Sequence, residues 1–281
     1  MGKILDGKPI ADHIKAQLQQ ERNAIERAPR LAILYFDQSA SMLYWFAQRA
    51  AAAALDIDIS PSQSYPWDIT PEKVARLIEK WNGDPTIHGI FVHQPLPPQI
   101  NPQQVSASID PRKDVEGIHP QNSARRFFAK ARIGSCTALA VMELIESTGV
   151  SLEGKEAVVV GHSEIVGRPV SMLLLDKLAT TTVCHVATRN LEEHVRRADV
   201  LVVAVGKPRL IKGAWIKPGA IVIDVGINVV NGRVVGDVEF EAAKARAAFI
   251  SPVPGGVGPV TVMMVMKNTV EAYRLQTEGA A

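Results

Sequence analysis

The sequence predicts an α/β fold in two parts, the second a doubly wound parallel sheet, with a last helix that returns to the first part. Three observations predict it. Short apolar runs alternate with stretches of helical character along the whole chain. The runs Ala157–Val160, Val200–Val205 and Ile221–Val225 are apolar throughout, as parallel strands covered on both faces are. A glycine-bearing turn, Gly161 to Gly167, stands between the first of these runs and a helix.

In chain order, Ile10, Ile14, Leu18 and Ile25 fall at helical spacing within residues 10–28. Leu31–Phe36 is a short strand. Ser41–Leu55 has helical composition and is alanine-rich in its second half. Thr70-Pro71-Glu72-Lys73 opens a helix with a capping hydroxyl, Pro at the first helical position and an acid in the first turn. Ile87–Val92 is a strand, stopped by Pro95-Leu96-Pro97-Pro98. From about residue 150 the alternation tightens: strand 157–160, helix 168–178, strand 181–186, helix 191–197, then strands 200–205 and 221–225. Val260–Leu275 reads as a Val- and Met-rich helix. The expected domains are 1–120 with 258–281, and 121–257.

Composition narrows the function. The 281 residues carry a net charge of +2 with the basic residues scattered, which argues against nucleic-acid binding. The apolar runs are too short to span a bilayer. The first 30 residues lack the apolar segment of a signal peptide, and Asp6 stands where a myristoylation motif needs Ser or Thr. Cys136 and Cys184 offer neither metal spacing nor a disulfide framework. A cytoplasmic protein acting on small molecules, without a metal, is the expectation.

The turn Gly161-His162-Ser163-Glu164-Ile165-Val166-Gly167 suits a dinucleotide pyrophosphate, because glycines admit the backbone closely and the helix start offers N–H donors and a positive dipole. Ser163 stands where the usual middle glycine would be, so an ordinary tight turn is the competing reading. The stretch Cys184-His185-Val186-Ala187-Thr188-Arg189 contains no acid to grip a ribose 2′-hydroxyl.

Five further segments carry a resemblance: Val160–Pro169, Ala198–Pro208, Ile223–Asn228, Val235–Val238 and Pro252–Thr261, the last around a Pro-Gly-Gly-Val-Gly-Pro loop. With Lys113-Asp114-Val115-Glu116-Gly117 and the Ala40-Ser41…Tyr44 helix start, they resemble the bifunctional methylenetetrahydrofolate dehydrogenase/cyclohydrolase family over nearly the whole chain. The resemblance implies a tetrahydrofolate-binding substrate domain, a Rossmann-like NAD(P)-binding domain and a homodimer. It implies cofactor contacts at Gly161, His162, Ser163, Ile165, Val166, Gly167, Val186, Arg189, Val205, Gly206, Ile227 and Thr261. Gly255, Gly256 and Pro259 would lie beside nicotinamide and substrate. NADP-using relatives bind the 2′-phosphate with an Arg and a Ser where this chain has His162 and Val186; family habit favours NADP, and NAD stays open.

The substrate half departs from the family at the residues that do chemistry. Relatives carry Tyr-x-x-x-Lys on one helix face, a Gln that ties the Lys, and an Asp that grips the pterin. Here Tyr44 remains, the Lys is Gln48, the Gln is His93 and the Asp is Glu116. Phe36 replaces a Gly before the helix start, and Ser135-Cys136-Thr137-Ala138 replaces a Pro-Cys-Thr-Pro. No lysine lies between Lys15 and Lys73 to act as a substitute; Gln94 should face the other side of its strand, and Arg49 sits about 100° round the helix. Hydride transfer needs oriented partners, whereas ring opening by water needs a group that titrates. Dehydrogenation of 5,10-methylenetetrahydrofolate is therefore expected to survive, and cyclohydrolysis to be lost, slowed or taken over by His93. Glu116 is expected to keep the charge that holds the pterin. Two other readings stand: an NAD(P)-dependent oxidoreductase on another pterin-like or heterocyclic substrate, and a non-catalytic folate or nucleotide sensor.

Overall fold

The computed structural model describes residues 2–36, 39–128 and 130–277, and of residues 39–41 and 43 only the backbone. The chain runs β1 (Lys3–Ile4), α1 (Gly7–Asn23), β2 (Arg30–Phe36), α2 (Ser39–Ala54), β3 (Asp58–Tyr65), α3 (Pro71–Gly83), β4 (Gly89–Val92), α4 (Pro102–Ser108), α5 (Pro120–Phe127) and α6 (Cys136–Glu146). It continues β5 (Glu156–Val160), α7 (Gly167–Asp176), β6 (Thr180–Cys184), α8 (Leu191–Arg197), β7 (Val200–Val203), β8 (Ile221–Asp224), β9 (Asn228–Val230), β10 (Arg233–Val235), α9 (Phe240–Lys244), β11 (Phe249–Ile250) and α10 (Val257–Thr277).

Two compact units result, Met1–His13 with Thr137–Thr261, and Ile14–Cys136 with Val262–Ala281. These bounds differ from the expected domains in both directions. β1 pairs in parallel with β11, and Lys3 N and Leu5 N donate to Ala248 O and Ile250 O, so the first residues join the later sheet. Residues 121–136 stay with the earlier unit, where the Asn122 amide donates to Pro111 O at 2.8 Å and to the Asp114 carboxylate at 2.9 Å. The last four residues of the expected first domain, 278–281, lie outside the described residues.

The first-named unit is built on a six-stranded sheet in the order β1-β11-β8-β7-β5-β6, with every pair parallel. β5, β7 and β8 are short and almost wholly buried, as their unbroken apolar runs require, while β6 at the sheet edge is threonine-rich and more exposed. β5 is followed in sequence by β6 on one side and in the sheet by β7 on the other, so the strand order reverses between β5 and β7. Open α/β sheets bind ligands at such a reversal, beyond the carboxyl ends of the strands.

The other unit has a parallel sheet in the order β3-β2-β4. β2 is central and apolar, and Leu31, Ile33 and Leu34 are fully buried. β3 is Asp-Ile-Ser-Pro-Ser-Gln-Ser-Tyr, a polar strand with an internal proline. It is tolerated because it pairs on one side only, where a missing N–H breaks no second ladder. Thr70 caps α3 through Lys73 N, with Pro71 at the first helical position, as expected. Phe36 is fully buried with its ring edge-on to Trp67 at 6.1 Å.

Candidate active site

In the unit built on β2, a buried stripe on α2 places the first group. Gln48, Ala51, Ala52 and Leu55 recur at helical spacing and are all buried. Tyr44 lies one turn before Gln48 on the same face. β4 supplies the opposing group: His93 N donates to Leu34 O at 2.9 Å, which carries strand pairing one residue past Val92. His93 Nε2 then meets Gln48 Oε1 at 2.7 Å. An amide oxygen only accepts, so Nε2 is the donor. Gln48 Nε2, fully buried, has no hydrogen-bond partner among the described residues. The imidazole sits among rings, with centroids of Phe91 at 5.2 Å, Tyr44 at 5.5 Å and Tyr35 at 6.1 Å.

The neighbours of this group settle two side questions from the sequence. Trp45 donates through its indole N–H to Ser62 Oγ at 2.8 Å and lies under the Arg49 guanidinium at 5.4 Å, so both pack at the rim. Arg49 is exposed and Gln94 only partly buried, while Gln48 and His93 are both sequestered.

Glu116 is held by the residues on either side of it. The buried Lys113 ammonium donates to Trp81 O, Asn82 O and Asp84 O at the end of α3, at 2.7–3.0 Å. The Asp114 carboxylate accepts from Gly117 N at 3.1 Å, His119 N at 2.8 Å and the Asn122 amide. Gly117 has φ +72°, and a Cβ there would fall 2.2 Å from the Gly134 carbonyl, so no side chain fits at that bend. From α10, the Asn268 amide donates to Val115 O and Gly134 O at 2.8 Å and contacts Cys136 Sγ at 3.2 Å.

This setting changes the expected chemistry of Glu116. Loss of hydration, followed by the charge of Asp114, pushes its carboxyl up to about 8. At neutral pH the free protein therefore holds it mostly as the neutral acid, contrary to the expectation of a standing charge. Burial likewise drives the Tyr44 hydroxyl and the Cys136 thiol well above their usual ranges, with Glu116 adding to both. Asp114 is raised by burial in spite of its three donors.

The other unit carries a second candidate site, at the carboxyl ends of β5, β6, β7 and β8. Gly161 has φ +124°, and a Cβ there would stand 2.3 Å from Ala204 O, the first residue past β7. A Cβ on Gly167 would stand 2.0 Å from Gly161 O. These contacts bring the turn against the helix start, a close backbone approach of the kind that could hold a phosphate. One expectation is corrected here. Val166 N and Gly167 N already donate to Ser163 Oγ, at 3.1 and 3.4 Å, and are not free for a ligand. The Ser163 hydroxyl keeps its own proton to offer instead.

Of the other expected cofactor residues, His162 comes against His185, with ring centroids at 5.4 Å. Val186, His185 and Arg189 are exposed past the end of β6. Ile165 is half-buried in the turn. Val205 and Gly206 lie beyond the end of β7, not in it, and Ile227 is exposed just before β9. Gly255, with φ +105°, accepts from Gly7 N at 2.8 Å, and Gly256 O lies where a Cβ on Gly7 would be. Pro259 and Thr261 fall within α10, and the Thr261 hydroxyl donates to Val257 O. The sequence reading missed Lys113, Asp114, Asn268, Asp224 and Asp237. A polar Asn inside an apolar helix was the available signal for Asn268; the acids lay in quoted motifs without a role.

Family models match both parts of the chain: the catalytic domain of tetrahydrofolate dehydrogenase/cyclohydrolase over residues 5–116, and its NAD(P)-binding domain over residues 135–277. The chain belongs to the tetrahydrofolate dehydrogenase/cyclohydrolase family. The bifunctional protein FolD of Geotalea daltonii is 47% identical over 279 residues, covering 98% of this chain and 99% of the relative. That of Acetivibrio thermocellus is 46% identical over 281 residues, covering 98% of each. Among solved structures, the Trypanosoma brucei dehydrogenase–cyclohydrolase, complexed with NADP and inhibitor, is 38% identical with a TM-score of 0.94 and covers 99% of both chains. The silkworm 5,10-methylenetetrahydrofolate dehydrogenase has the same TM-score at 37% identity, covering 99% of this chain and 100% of that one. Fold and family agree with the resemblance read from the motifs.

Proposed function

We propose that the protein is an NAD(P)-dependent 5,10-methylenetetrahydrofolate dehydrogenase in which the cyclohydrolase step is weak or absent. The observation that carries this is Gln48: its oxygen receives the His93 proton at 2.7 Å, and its buried amide nitrogen makes no well-formed hydrogen bond among the described residues, with the Tyr44 hydroxyl beside the Gln48 side chain. A buried unpartnered donor is costly, and a ligand acceptor would satisfy it. Gln48 thus orients substrate through a fixed dipole and His93 fixes Gln48. Tyr44 frames the ring, and Glu116 accepts the paired N–H groups of a pterin edge once it has lost its proton.

Dehydrogenation breaks a C–H bond of the methylene bridge, with both electrons leaving as hydride, so no protein base is required. The nicotinamide, when bound, accepts that hydride. Opening the methenyl product requires a proton to leave water and one to reach a ring nitrogen. Gln48 cannot titrate, and the Nε2 of His93 is engaged as a donor to Gln48, which favours a shaping role for His93 over a take-over of the lysine's work. The cradle of Gly161 and Gly167 suits a dinucleotide. The absence of an acid after β6, with Arg189 and the His162–His185 pair exposed there, favours NADP over NAD.

A homodimer fits the β9–β10 ribbon, where Val229 and Val234 sit opposite one another and, with Ile227, are exposed. The two cysteines, buried and unpaired, suit a reducing cytoplasm. Paired assays test the reading: reduced cofactor should appear with methylenetetrahydrofolate, faster with NADP than NAD, while methenyltetrahydrofolate hydrolysis barely exceeds the uncatalysed rate. Hydrolysis at a rate comparable to dehydrogenation would refute it.

A further inference from the structure

The carboxylates of Asp224 and Asp237 are buried side by side in the cofactor unit, 3% and 0% exposed, without a cationic partner among the described residues. Each occupies space that the other segment provides. A Cβ on Gly226 would stand 2.2–2.5 Å from the Asp237 carboxyl, and a Cβ on Gly236 would stand 1.9 Å from Asp224 Oδ2. The two segments, Asp224-Val225-Gly226 and Gly236-Asp237, are thus mutually complementary: each acid lies against the glycine of the other.

Both carboxylates are satisfied by backbone N–H groups from loops at the strand ends. Asp224 accepts from Gly226 N at 3.0 Å, Asp237 N at 3.0 Å and Val238 N at 2.9 Å. Its own N–H donates to Ser251 Oγ at 2.8 Å, at the head of the loop that leads to Gly255 and Gly256. Asp237 accepts from Val205 N at 2.7 Å, Gly206 N at 2.9 Å and the Asn228 amide at 2.8 Å. Backbone donors to a carboxylate are charge-assisted and directional, and they fix a loop more firmly than apolar contact does.

We propose that Asp224 and Asp237 are positioning residues of the cofactor site, setting the chain after β7 and the chain after β8 at a fixed separation for one dinucleotide. The proposal rests on the reading that Val205, Gly206 and Ile227 line that site. Neither acid need touch the cofactor. Asp237 holds Val205 and Gly206 from behind, Asp224 holds the backbone of Asp237, and the two glycines let the acids approach. Buried carboxylates cost hydration, and their retention here matches a requirement for geometry more than for stability.

The experiment compares the wild-type protein with Asp237→Asn and Gly226→Ala, by steady-state kinetics and by NADPH and NADH fluorescence titration. Asn replaces one acceptor oxygen with a donor facing N–H groups; Ala pushes the Asp237 carboxyl away from its seat. Each should raise cofactor KM and Kd by at least about fivefold while kcat and folate KM change less than about twofold, and the double variant should be no worse than the stronger single one. A merely structural role would lower the unfolding midpoint and weaken both substrates and kcat together, and that result would overturn the proposal, as would unchanged cofactor KM in a folded Asp237→Asn. If neither variant folds, Asn228→Ala decides, since it removes one donor to Asp237 from the ribbon. A rise in cofactor KM of about twofold or more supports the proposal, and no rise refutes it. Failure of the wild-type protein to bind either cofactor would sink the cofactor reading and this proposal together; binding that is equal in wild type and variants sinks the positioning role alone.

Discussion

The two units handle buried polarity in opposite ways. In the cofactor unit each buried carboxylate is surrounded by backbone N–H donors, and glycine supplies the space. In the folate unit two polar groups are left incomplete: among the described residues Gln48 Nε2 makes no well-formed hydrogen bond, and the Glu116 carboxyl is raised by burial and Asp114 without an offsetting cation. The first arrangement is finished before any ligand arrives and sets geometry. The second is finished by the ligand and sets chemistry, so substitutions that change reaction type should fall on the second.

The sharpest way to break this contrast is to restore the proton-handling pair. Gln48→Lys with His93→Gln should raise methenyltetrahydrofolate hydrolysis by about 10²–10⁴-fold, while dehydrogenase kcat changes only a few-fold. Stopped absorbance of the methenyl chromophore measures it, and unchanged hydrolysis in the folded variant would place the defect elsewhere.

Glu116 gives the next largest effect. Its carboxyl lies near 8 in the free protein, so at pH 7 about a tenth is ionised and ready to accept pterin N–H groups. Folate affinity in the wild type should therefore strengthen about tenfold between pH 7 and pH 9. The Tyr44 hydroxyl and Cys136 thiol beside the same carboxyl are both driven well above their ordinary ranges by burial, so neither supplies this dependence. In Glu116→Gln the dependence should vanish and folate KM at pH 9 should rise about 10- to 100-fold, with cofactor KM unaltered. A flat wild-type profile would contradict the reading.

The same residue sharpens the comparison through stability. Its folded value, about 8, lies above the ordinary 4.5, so between the two the folded protein keeps a proton that the unfolded chain has lost. Wild-type stability accordingly falls across that window, and the penalty is complete above it. Glu116→Gln carries no such penalty, so its unfolding midpoint relative to wild type should be higher at pH 9 than at pH 5. The smallest effect is expected at Ser163. Ser163→Ala frees Val166 N and Gly167 N, and cofactor KM should rise about threefold with about 1 kcal/mol lost in denaturant unfolding.

Much of this was legible in the sequence, for identifiable reasons. The unbroken apolar strands after residue 150 announced a parallel sheet because nothing else buries such runs in so few residues. Gln48 and His93 were found because the family resemblance carries a lysine and a glutamine onto those positions; helical spacing and strand register served to set Arg49 and Gln94 aside. β3 was invisible: an edge strand packs weakly enough to be written in serine and glutamine. β1 escaped because two residues carry no periodicity. Glu116 was located but its charge state was misjudged, since that depends first on burial and then on Asp114, and burial is not written in linear spacing. The Asp224–Asp237 contact was unreadable for the same reason; only the fold shows that each glycine faces the other's acid.

Asn268 has a consequence for the order of assembly. Its amide bonds Val115 O and Gly134 O, which flank the bend that presents Glu116, and it contacts Cys136. It sits on the part of α10 that belongs to the folate unit, a unit split in sequence around the whole of residues 137–261. On the ribosome, every residue of the cofactor unit emerges before Asn268 does. The cofactor half can be complete while the bend that presents Glu116 still lacks its clasp, and that bend is secured only after the later turns of α10 have emerged.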